Sequence, residues 1–175
     1  MVRKLAVTAL LLILGIINWS IFTKEKQLSD GQIVYLELAP VDPRSLMQGD
    51  YMALRYTVAG QIYQALPKKE KTGSWRHYVQ ASDGYVVVSL DNKNIASYRS
   101  LYQQQALENS ELLLHYRVRN GQVKFASNAF FFQEGDAKLY SPARYGQFRV
   151  SKDGELLLAA LFDKALNKLP ETEQK

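Results

Sequence analysis

ELLLHYRVRNGQVKF, residues 111–125, decides the fold of this chain. Branched, aromatic and aliphatic residues flank Asn120-Gly121, a dipeptide that tolerates the positive φ values a two-residue hairpin turn demands. The stretch therefore reads as two antiparallel strands joined by a tight turn. FRVSKDGELLL, residues 148–158, repeats the pattern around Asp153-Gly154. Outward from these hairpins the same composition recurs in QIVYLEL (32–38), YMALRYTV (51–58), QIYQAL (61–66), YVVVSL (85–90), IASYRSLY (95–102), QVKFASNAFFF (122–132) and ELLLAALFD (155–163). Each is expected to be a strand. Asp30-Gly31, Ala59-Gly60, Asp83-Gly84 and the DNKN run at 91–94 are expected to be turns between them. A helical period competes only in FDKALNKL, 162–169.

The N-terminus is of another kind. Leu5 to Phe22 is an uncharged apolar run of 18 residues, long enough for a helix to cross most of a roughly 30 Å hydrocarbon core. Trp19 stands near its far end, where an indole suits the membrane interface. The following NWSIFTKEKQ lacks the pair of small residues that cleavage of a signal peptide requires, so the run reads as an uncleaved signal anchor. Arg3 and Lys4 precede it, and Lys24 and Lys26 follow. The leading position of the first pair orients the N-terminus inside, with the remainder translocated. The expected division is an anchor at 1–23, a short linker at 24–30, one antiparallel β-rich domain at 31–166, a sandwich or partly closed barrel, and a flexible tail at 167–175.

Composition excludes several functions. The chain of 175 residues has no cysteine, which removes disulfides, zinc–thiolate clusters and thiol nucleophiles. Of its net charge of +5, Arg3 and Lys4 supply two, leaving about +3, too little to imply nucleic-acid binding. With no H-E-x-x-H and no glycine-rich phosphate loop, no metal or cofactor is expected. His77 falls in a basic segment, and His115 reads as a strand residue rather than a ligand. That basic segment, PKKEKTGSWRHY at 67–78, reads first as a solvated loop; Lys68, Lys69, Lys71, Trp75 and Arg76 make it a candidate for anionic lipid or glycan.

A weak internal repeat relates two parts of the chain. Placing Tyr51 on Tyr145 also places Arg55 on Arg149 and Gly60 on Gly154, and a short upstream gap brings Gly31-Gln32 onto Gly121-Gln122. Two related strand-loop-hairpin units would explain these matches, with the loops containing Asp42 and Asp136 in corresponding places. Between the first unit's strands lies PVDPRSLMQGDYMALRY, 40–56. Asp42 before Pro43 suits the cap of a short helical turn over PRSLM, and Gly49 suits a reversal. Met52, Leu54, Tyr56 and Val58 then share one face, a candidate core, and Tyr51, Ala53, Arg55 and Thr57 the other.

GDYMALRY, Gly49 to Tyr56, matches G-D-Y-x-x-L-x-Y at every fixed position, and the chain thereby resembles the GDYXXLXY protein family of bacteria. PVDPRSLMQGDY before it and FFFQEGDAKLYSPARYGQFRV after it are also similar. The resemblance implies a membrane-anchored envelope protein of the inner membrane with its domain on the extracytoplasmic side, without an assigned function, accompanying a multi-span membrane protein.

Three readings of the motif residues stay open at this point. In the first they are structural: Asp50 accepts backbone N–H groups, and Arg44, Arg55 and Arg149 pair with Asp42, Glu134 or Asp136 to tie loops to the sheet. In the second, Tyr51, Arg55, Tyr145 and Arg149, beside Arg144, line a face that binds a partner, since tyrosine and arginine anchor interfaces. The third is a serine–lysine hydrolase with Ser45 as nucleophile; no lysine in an apolar strand stands out as its base, and the Ser-Met-x-Pro pattern of signal peptidases is absent. A binding or accessory role without catalysis is the expectation.

Overall fold

A computed structural model of the chain describes residues 2–39, 47–48, 51–70 and 77–170. The apolar N-terminal run lies in one helix, α1, Val2–Asp30. It contains an 18-residue window of mean hydropathy 2.0, none of it buried, so by length and composition α1 can cross a membrane. At 1.5 Å per residue its 29 residues extend about 43 Å, more than a hydrocarbon core needs. The segment 24–30, expected as a linker, forms the last two turns of this helix. KEKQLSD contains no Gly or Pro to interrupt the hydrogen-bond ladder.

After α1 the chain is mainly β. The strands are β1 Gln32–Glu37, β2 Met47–Gln48, β3 Tyr51–Ala53, β4 Lys68–Glu70, β5 His77–Val79, β6 Ser82–Leu90, β7 Ala96–Leu101, β8 Glu111–Arg119, β9 Gln122–Lys124, β10 Ala129–Phe131, β11 Tyr145–Val150, β12 Leu156–Phe162 and β13 Lys168–Leu169. A second helix, α2, spans Thr57–Ala65, and a 3-10 turn Asp136–Tyr140. Two four-stranded antiparallel sheets dominate, ordered β1-β11-β12-β13 and β7-β6-β8-β9. A parallel bridge between Tyr35 and Ile95 joins them at one side. At another, the His115 N–H donates to the Gly154 carbonyl across 2.8 Å, so the sheets form a partly closed barrel. One core fills it, with Val34, Leu36, Phe148 and Leu161 from the first sheet against Val86, Val88, Leu114 and Val118 from the second.

Both expected hairpins are present. Asn120 and Gly121 have φ of 53° and 69°, and Gly154 has φ of 79°, as the tight turns require. The first turn sets the register Arg119↔Gln122 and Val118↔Val123. Met52, Leu54, Tyr56 and Val58 are all buried, at 2–3% exposure; alternation along extended chain accounts for the first three, and Val58 faces the core from α2.

Four local expectations are corrected. YMALRYTV and QIYQAL are not two strands across an Ala59-Gly60 turn: β3 stops at Ala53, and α2 takes residues 57–65. Val58, Ile62 and Leu66 recur at four-residue spacing and are buried, a helical stripe that the short strand-like window hides. Asp83-Gly84 lies inside β6 rather than in a turn. Gly84 is small there because the Tyr116 ring lies over it; a Cβ would stand 2.7 Å from the tyrosine oxygen. FDKALNKL is not helical. The Asp163 carboxylate accepts the N–H groups of Ala165 and Asn167, both at 2.8 Å, and closes a turn that leads into β13. Consequently 167–170 is not a free tail, since Lys168 and Leu169 pair with Phe162 and Leu161.

Candidate functional site

Two of the motif arginines, Arg149 and Arg55, fall in separate regions, one at each end of β1. The first is the junction between α1 and the domain. Gln27, on the last turn of α1, is the one polar side chain among the buried described residues, at 9% exposure. Its Nε2 donates to the carbonyls of Arg149 (3.1 Å) and Glu155 (2.8 Å), and its Oε1 accepts from Lys24 Nζ (3.1 Å). The Gln27 backbone carbonyl accepts the Gly31 N–H at 3.0 Å, and Arg149 Nη1 donates to the Gly31 carbonyl at 3.1 Å. Gly31 is close-packed: a Cβ there would run into the Gln27 carbonyl oxygen and stand 3.1 Å from the Arg149 Cβ. The helix end is thus bolted to β11 and to the start of β12 by bonds that satisfy the Gln27 amide. Glu155 extends the tie to the other sheet, its carboxylate 2.7 Å from His115 Nδ1 on β8.

At the far end of β1 lies a cleft of about 460 Å³ between α2 and the β8–β9 hairpin. Its lining includes Ala53, Arg55, Ala59, Tyr63, Lys124 and Asn128. The strand segment carrying Arg55 is held from both sides: Ala39 N–H donates to the Arg55 carbonyl (2.8 Å), and Leu54 N–H to the Asn128 carbonyl (2.7 Å). Beneath it Tyr56 packs edge-on against Phe125 and Phe148 at 5.8 and 5.5 Å and donates its hydroxyl to the Ser127 carbonyl at 3.1 Å. Burial pushes this phenol far above its ordinary pKa, so it stays protonated. Arg55 is exposed, and among the described residues neither it nor Lys124 has an ion-pair partner. Asn128 donates through Nδ2 to the Leu54 carbonyl (3.3 Å), while its Oδ1 is buried without a donor.

The structure separates the sequence-predicted residues into distinct roles. Of the signature, Leu54 and Tyr56 belong to the core, and Tyr51 sits half-buried against Phe131 at a ring distance of 5.8 Å. Arg55 faces the cleft. Asp42, Arg44, Ser45, Gly49 and Asp50 lie outside the described residues, as do Lys71, Trp75 and Arg76 of the basic segment. Lys68 and Lys69 are exposed on β4, which pairs with β5, so that segment includes a short ladder rather than being loop throughout.

The expected pairing of Arg55 or Arg149 with Glu134 or Asp136 is not found among the described residues. Arg149 spends its guanidinium on a backbone carbonyl instead, and Asp136 opens the 3-10 turn. Tyr145 and Arg149 share the half-buried face of β11, about 13 Å apart at four residues' separation. Arg144 is exposed, its Nη1 donating to the Ala143 carbonyl at 3.1 Å. The repeat holds at strand starts, where Gln32, Gln122, Tyr51 and Tyr145 each open a strand, and parts at Gly60, which is helical, and Gly154, which is in a turn. Gln27, Lys124 and Asn128 were not singled out by sequence. Asn120-Gly121 does point to the hairpin that carries Lys124, but no local pattern marks Gln27.

Among the described residues, no three His, Asp or Glu side chains gather so as to hold a metal ion. Neither a curated protein nor a solved structure matches the chain. The family model described as GDYXXLXY protein matches residues 13–161, from within α1 to within β12, and the chain therefore belongs to the GDYXXLXY protein family.

Proposed function

We propose that this protein is a binding or accessory subunit, anchored in the bacterial inner membrane by α1, that holds its β domain on the extracytoplasmic side beside a multi-span membrane protein. The observation that carries this reading is the junction. A domain that merely needed tethering would hang from a polar linker, whereas here Gln27, Gly31 and Arg149 hold α1 against β11 and β12. Such a mount gives the domain a set stance above the bilayer, which suits docking against a neighbour that is itself held in the membrane. Arg3 and Lys4 ahead of the span support the orientation. The role assigned is binding, not catalysis.

Purification of the full-length protein from its native membranes in mild detergent tests this. A multi-span membrane protein in comparable molar amount is expected. Recovery of the protein alone, or with soluble proteins only, defeats the reading. Protease added outside spheroplasts should digest the β domain; complete protection would place it on the cytoplasmic side.

A further inference from the structure

We infer that the cleft between α2 and the β8–β9 hairpin is a site for the carboxylate end of an extended peptide, a reading that rests on the binding role proposed above. The charge is the first ground. Arg55 and Lys124 line the cleft, no Asp or Glu is among its described lining residues, and neither cation is paired among the described residues. Two cationic side chains lining one cleft without a counter-ion among the described residues favour a carboxylate, which the planar guanidinium can grip through two oxygens.

The second ground is that the cleft also offers sites for a backbone. β9 is an edge strand in the order β7-β6-β8-β9. Arg119↔Gln122 closes the two-residue turn, so the ladder alternation points the Val123 N–H and C=O away from β8. A peptide end brings amide N–H donors as well as a carboxylate, whereas a phosphodiester group brings acceptors alone.

Space and position agree. Ala39, Ala53, Ala59, Gly60 and Gly121 keep the walls low, and a Cβ on Gly60 or Gly121 would meet nothing within 4 Å. The cleft lies beyond the far end of β1, a strand about 20 Å long, from the end of α1. That separation argues for a protein segment over a lipid headgroup as the occupant.

The test uses the full-length protein in detergent micelles, immobilised and exposed to a mixed library of tetrapeptides, half with free carboxyl ends and half amidated. Free-carboxyl peptides should be retained at least about tenfold over amidated ones, and Arg55→Gln or Lys124→Gln should each cut retention by about tenfold without moving the unfolding midpoint. Arg149→Gln, at the junction, should leave retention unchanged in whatever fraction remains folded. Equal retention of both halves of the library, no retention, or indifference to Arg55→Gln and Lys124→Gln overturns the assignment. So does capture of inorganic phosphate or phosphatidylglycerol vesicles, sensitive to the same substitutions, with no peptide retained. If a multi-span partner co-purifies undiminished with the Arg55→Gln, Lys124→Gln double variant, the cleft assignment fails while the accessory-subunit reading stands.

Discussion

Arg55 and Arg149 occupy matching places in two similar stretches, YMALRY and YGQFRV, and they meet opposite fates. Arg149 lies at the junction, half-buried, with its guanidinium on the Gly31 carbonyl beside a Gln27 amide whose bonds are all made. Arg55 lies at the cleft, exposed, with no ion-pair partner among the described residues and an unsatisfied amide oxygen nearby. Polar groups that complete one another hold a structure together, while polar groups left incomplete are where a ligand can still gain something. On the proposed reading, one end of β1 serves structure and the other recognition, and the contrast between the two arginines is what the predictions below test.

The largest expected effect is in the core that both ends share. Tyr56→Ala removes a buried ring wedged between Phe125 and Phe148 and should cost about 3–5 kcal/mol, read by denaturant unfolding. Tyr56→Phe, which loses only the hydroxyl bond to Ser127, should cost about 1 kcal/mol. Near-equal losses would mean that the hydroxyl and not the ring matters.

At the junction, Gln27→Ala removes two part-buried hydrogen bonds, to the carbonyls of Arg149 and Glu155, and should cost about 1–3 kcal/mol. Gly31→Ala should cost a similar roughly 1–3 kcal/mol by forcing α1 off β11. Spin labels on α1 and β11 would report the loosening as a broadened distance distribution. A narrow distribution in both variants would show that these bonds do not set the helix's stance.

The arginine pair gives the direct comparison. Arg149→Gln should lower stability by about 1 kcal/mol, and Arg55→Gln should stay within about 0.5 kcal/mol of wild type. Reversed magnitudes would interchange the two assignments.

The smallest effect concerns pH. Backbone and side-chain bonds from Asn167 hold the Asp163 carboxyl below its usual range, and a side-chain bond from Arg119 does the same for Asp83. A lowered folded pKa means that the stabilisation is fully present above the unfolded value of 3.8 and is lost as pH falls through the lower folded value. The stability deficit of Asp163→Asn should therefore be constant from pH 8 to about pH 5 and close in stronger acid. A deficit that widened in acid would contradict the sign.

Much of the fold was legible because strand signals are local. Alternation placed Met52, Leu54 and Tyr56 inside, and Asn120-Gly121 carried its own turn. α2 was missed because Val58, Ile62 and Leu66 at four-residue spacing fall in a window rich in residues that also suit strands. The turn at 163–167 was missed because Asp163 works through backbone N–H groups, which hydrophobic periodicity does not sense. Gln27 looked like a linker residue, since a polar side chain just past an apolar span ordinarily meets water.

By itself the sequence determined that this chain has one apolar helix fit to cross a membrane, a β-rich domain with hairpins at Asn120-Gly121 and Asp153-Gly154, and the GDYXXLXY signature. Those features rest on period, length and turn chemistry, which neighbouring residues settle among themselves. Only the tertiary structure decided that Gln27 bonds to residues more than 120 positions away and that Lys124 and Arg55 share a cleft. It also told the two arginines apart, since their local patterns match and only distant chain could satisfy the one and leave the other open.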